Sequence, residues 1–117
     1  MLSGLMAHYD QRHLARIDRE LEAGGGRRRE VEGPCFTVAG LAAAHGLRRI
    51  DYLSIDTEGG ELEILQSIDF AALDVNLISV ENNYGDPRFR RLLARAGFRL
   101  AARLACDEIY QHDRHRP

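Results

Sequence analysis

The chain has 117 residues, a formal net charge of −2, and is 44% hydrophobic and 29% charged. That mix suits one globular domain over residues 1–117 with a modest core. It argues against a basic nucleic-acid binder and, with no apolar run long enough to span a bilayer, against a membrane-crossing chain.

All 16 basic residues are arginine, and Cys35 and Cys106 are the only cysteines. Two distant thiols make neither a metal framework nor a disulfide scaffold. The first residues lack the charged and apolar regions of a signal peptide, so reduced thiols in a cytoplasmic protein are expected.

Residues 1–29 read as a leading helix and loop. Asp10 can cap a helix that carries Leu14, Ile17 and Leu21 on one stripe. His8 and Tyr9 precede it in a loop of undefined role. Gly24, Gly25 and Gly26 end the helix, and Arg27, Arg28 and Arg29 continue as a solvated turn. The glycine run follows a helix rather than a strand, so it is not a phosphate cradle.

Glu30 to Val38 is extended in character, with Pro34 favouring an edge position. Gly40 to His45 predicts a short helix closed by Gly46. Ile50 to Asp56 is mostly apolar, as a strand covered on both faces is. Gly59 and Gly60 turn the chain into a helix from Glu61 to Ile68, with Leu62, Ile64, Leu65 and Ile68 inward.

Val75 to Val80 is a second apolar strand, followed by Glu81, Asn82, Asn83, Tyr84 and Gly85. Asp86 and Pro87 suit the cap and first turn of a helix that carries Phe89, Leu92, Leu93 and Ala96 and stops at Gly97. Phe98 to Leu104 and Glu108 to His112 form a hairpin around residues 105–107. Strand–helix alternation predicts an α/β fold, mostly parallel, with helices on both faces and the C-terminal hairpin as an antiparallel edge.

Such sheets bind ligands beyond the carboxyl ends of their strands. Asp56 and Glu81 stand at two such ends, within a chain segment that also gathers Glu58, Glu61 and Glu63. Crowded acids repel one another unless a cation is near. Asp56, Glu81 and the Asn82 amide are hard oxygen ligands suited to Mg²⁺ or Mn²⁺, and such an ion can prepare a substrate hydroxyl for attack. A metal-free general base is the alternative. Glu58 and Glu61 can instead complement a helix N-terminus, and Glu63 can simply face water. The histidines show no metal-ligand spacing and read as solvated.

The stretches IDYLSIDTEGGELEIL and VNLISVENNYGD resemble the FkbM-type methyltransferase family. Its Asp-x-Glu-Gly-x-Glu motif after a strand is matched at Asp56, Glu58, Gly59 and Glu61, and its Val-Glu strand end at Glu81. Leu2 to Leu5 (LSGL) and Leu41 resemble the run-up to that motif. The resemblance implies a partial Rossmann-like methyltransferase sheet and S-adenosylmethionine-dependent transfer of a methyl group to a hydroxyl of a small molecule or sugar. It implies catalytic roles for Asp56 and Glu81 and cofactor contacts at Asp56 and Glu58.

The family's glycine-rich cofactor-binding half finds no counterpart, so the chain reads as the C-terminal part of a larger domain, and alone is expected to bind the cofactor weakly or not at all and to lack activity. The strand at Ile50 to Asp56 then has an open edge unless Glu30 to Val38 or another chain covers it. A non-catalytic interaction domain, self-associating or binding a partner chain at that edge, is the second reading. A metal-dependent phosphoesterase is a third.

Overall fold

A computed structural model describes residues 11–27, 29–115 and 117. The expected roles of Asp10, His8, Tyr9 and Leu2 to Leu5 lie outside the described residues. The chain separates into two compact units, one formed by residues up to Cys35 with Thr57–Gly60, the other by Phe36–Asp56 with Glu61–Pro117.

In the first unit, helix α1 spans Gln11–Gly24. Its expected apolar stripe is present: Ile17 is buried, and Leu14 and Leu21 are half-buried. Arg16 and Glu20 pair one turn apart at 3.0 Å. Gly25, at φ 65, supplies the left-handed residue that ends the helix.

The stretch expected to be extended, Glu30 to Val38, forms no strand. Val31 and Phe36 are exposed, so no face of it is buried, and Pro34 cannot donate to a ladder. Thr37 instead caps α2 (Val38–Ala44) by accepting the Gly40 N–H at 3.0 Å.

The second unit carries β1 (Arg49–Ile55), α3 (Glu61–Gln66), β2 (Asp74–Glu81), α4 (Pro87–Arg95), β3 (Phe98–Leu104) and β4 (Asp107–His112). A short 3₁₀ turn, Asp113–His115, follows. The α/β class holds, with a mixed four-stranded sheet in the order β1-β2-β4-β3, as in part of a Rossmann-like methyltransferase sheet.

The expected strand pairing holds only in part. β1 and β2 are parallel, but β2–β4 and β3–β4 are antiparallel. The hairpin is not an edge appendage: β4 enters between β2 and β3, and β3 becomes the outer strand. The connection through α4 leaves room for one strand beside β2, and the returning arm of the hairpin fills it. Three strands still point the same way, and β4 alone opposes them.

Opposed residues share a face. Leu53 and Ile55 of β1 therefore lie beside Ile78 and Val80 of β2, and Tyr110 of β4 lies beside Ile78. Leu65 of α3, Phe89 and Leu93 of α4, and Phe98 complete this core. Val75, on the opposite face of β2, is also buried, so this strand is covered on both sides. The Phe98 ring meets those of Phe70 and His112 edge-on, at 5.1 and 4.7 Å.

The Asp86 side chain accepts the Arg88 N–H at 2.9 Å, with Pro87 in the first turn, so the expected start of α4 is in place. β1 pairs only with β2, and its other edge carries no strand among the described residues.

Candidate functional site

The parallel register sets Ile55 beside Val80. The next residue on each strand is an acid, Asp56 and Glu81, so both leave the sheet at its carboxyl end. Glu61 opens α3, the helix that returns the chain from β1 to β2. Each of these three residues offers a carboxylate oxygen within 4.8 Å of the other two. Asp56 is exposed, Glu81 half-buried and Glu61 only 6% exposed.

Three carboxylates at such separations form a hard, anionic donor set. A divalent ion or a cationic group on a ligand is the complement of such a set. The expected pair, Asp56 and Glu81, is therefore together, and Glu61 joins it.

Asn82 has different neighbours. Its Oδ1 accepts the Asp86 N–H at 2.7 Å. Its Nδ2 donates to the Asp86 carbonyl at 3.2 Å and to Glu108 Oε2 at 3.3 Å. It braces the turn that leads into α4. Glu58 lies in the Thr57–Gly60 turn with φ 58, a left-handed conformation costly for a residue with a Cβ. Glu63 is exposed, on the first turn of α3.

Glu108 escaped the sequence reading. It is 5% exposed, opposite Val80, and accepts hydrogen bonds from the Tyr110 hydroxyl and from Arg103 Nη2 at 2.6 Å as well as from Asn82. These donors meet the requirement of a buried carboxylate. Burial raises the Tyr110 phenol well above its ordinary value, and its hydrogen bond to the Glu108 carboxylate adds to the rise. Cys106, in the β3–β4 turn, brings its thiol within 3.9 Å of Glu81 Oε1.

The Methyltransferase FkbM domain model matches residues 4–100. The chain belongs to this family. No curated protein and no solved structure matches it. The family implies S-adenosylmethionine, and the donor chemistry at the strand ends fits the cationic end of that molecule as it fits a hard divalent ion. No helix among the described residues is long and apolar enough to cross a membrane.

Proposed function

We propose that the carboxyl ends of β1 and β2 form the acceptor side of an S-adenosylmethionine-dependent O-methyltransferase site. The observation that carries this is the convergence of Asp56, Glu61 and Glu81 within a chain that belongs to the FkbM family. When bound, the cofactor supplies an electrophilic methyl group. Asp56 and Glu81 hold the acceptor hydroxyl of a small molecule or sugar, and one of them takes its proton.

Asp56 and Glu58 are the proposed cofactor contacts. For a divalent ion, Mg²⁺ or Mn²⁺, Asp56 and Glu81 are the proposed ligands. Glu61 is the third carboxylate of the cluster, and Asn82 joins only if its amide leaves the Asp86 turn. An ion held there would lower the pKa of a bound hydroxyl.

Calorimetric titration of the purified chain with Mn²⁺, with and without S-adenosylmethionine, tests the reading at the cluster. Binding that Asp56→Asn abolishes supports it. Binding unchanged by Asp56→Asn and Glu81→Gln removes the cluster from the site.

A second reading rests on the outer edge of β1, which is unpaired among the described residues and carries Tyr52 at 57% exposure. Such an edge can add a strand from a partner or a second copy. Light scattering after size exclusion tests it, and a strict monomer in which backbone amides of β1 exchange freely counts against self-pairing.

A further inference from the structure

Between α3 and α4 lies an open groove of about 750 Å³, and none of the three clustered carboxylates lines it. Its apolar floor is presented by the half-buried Leu62 of α3 and Leu92 of α4, while Leu65 is buried. Arg88, Arg91 and Arg95 line its α4 side, and Asp69 is its one acid. Their spacing of three and four residues puts these arginines on one face of the helix, spread along roughly 10 Å of its axis.

α4 contains four arginines and no acid. Arg88 is engaged, its Nη2 lying 2.6 Å from Asp86 Oδ2. Arg91 donates its Nε to the Pro87 carbonyl at 3.4 Å. Neither Arg91 nor Arg95 makes an ion pair among the described residues, and both are exposed. The rim thus presents two cations beside an apolar floor.

We propose that this groove docks an acidic amphipathic helix of a partner protein. An open trough between two helices accommodates a third helix by its apolar face. Carboxylates three and four residues apart along the edge of that face would meet Arg91 and Arg95, with bidentate pairing available to each guanidinium. A bilayer surface fits less well, because the apolar floor is recessed between the helices rather than raised.

The test uses the full chain and a fluorescent synthetic helix of about 18 residues, long enough to hold helical structure. It carries leucines at helical spacing flanked by glutamates. A second peptide keeps the leucines and replaces every glutamate by lysine. Anionic phosphatidylserine vesicles form the third probe.

Anisotropy should show binding of the acidic peptide, weakened by added salt as rim charges are. The Arg91→Glu/Arg95→Glu double variant, with an unchanged thermal melt, should bind it at least about tenfold less tightly. Binding of the lysine peptide should be absent from the native chain and gained by the variant. The proposal is overturned by failure of the acidic peptide to bind, by equal binding of both peptides, by no response to the double variant, or by sedimentation with vesicles in place of peptide binding.

Discussion

Asn82 and Asp86 close the turn after β2 from both directions: the Asp86 N–H donates to Asn82 Oδ1, and Asn82 Nδ2 donates back to the Asp86 carbonyl. The Asp86 side chain then caps α4 through the Arg88 N–H. The Asn82 N–H donates to the Cys106 carbonyl at 2.9 Å and ties the same turn to the hairpin. One short segment therefore fixes where β2 ends, where α4 starts and where the hairpin turns.

Asn82→Ala removes three side-chain hydrogen bonds, one of them to the buried Glu108 carboxylate. The expected loss is about 1–3 kcal/mol in urea unfolding. Mn²⁺ affinity should change little. Full stability with a large loss of Mn²⁺ affinity would instead make Asn82 a ligand.

Glu61→Gln addresses the cluster. Glu61 contributes one of three converging carboxylates. If the set holds a divalent ion, losing one charge should weaken Mn²⁺ by roughly tenfold, the equivalent of about 1.4 kcal/mol. Glu63→Gln, two residues on and exposed, serves as the control. Equal effects of the two substitutions would reduce the cluster to a diffuse negative field.

How much of this was legible in the sequence depends on the range of the interaction. The cap at Asp86 and Pro87 is local, and its residue types alone announce it. The strand ends at Asp56 and Glu81 follow from apolar runs that stop at acids. Glu61 was visible as the residue after the Gly-Gly turn, but only the position of α3 brings it to the strand ends.

The place of β4 was not legible, because no local pattern states which strand a hairpin arm will join. Without that register, Glu108 reads as an ordinary exposed acid. Its alternation with Tyr110 becomes informative only once Val80 is opposite. Glu30 to Val38 misled through β-prone residues, Val31 and Phe36, that remain exposed, and the N-cap that Thr37 makes for α2 went unread.

Tyr110 makes stability sensitive to alkali. Its folded-state pKa lies above the ordinary value of 10.0, mainly through burial. Between the two values the folded chain keeps a proton that the unfolded chain has lost. Its contribution is complete below the ordinary value and is lost as pH rises toward the folded one, at no more than about 1.4 kcal/mol per pH unit. Tyr110→Phe should cost about 1–2 kcal/mol at neutral pH by removing a donor to Glu108. It should also flatten the alkaline limb in urea titrations above pH 10.0. An unchanged alkaline slope in the variant would assign that limb to other groups.

The acid limb has the opposite sign. Asp86 is held below its ordinary value of 3.8 first by its hydrogen bond with the Arg88 guanidinium. Asp74 is held down first by its hydrogen bond with His115, with Arg114 also nearby. In both, the unfolded chain binds the proton more readily, so the stabilisation is present above 3.8 and fades as pH falls through the lower folded values. Asp86→Asn keeps an effective cap and deletes the charge. It should change neutral-pH stability by only a few tenths of a kcal/mol, because an exposed ion pair contributes little there. Below pH 3.8 it should unfold along a shallower slope than the native chain. Parallel acid limbs for the two proteins would show that the Asp86–Arg88 pair does not set the acid response, leaving Asp74 and its C-terminal partners to account for it.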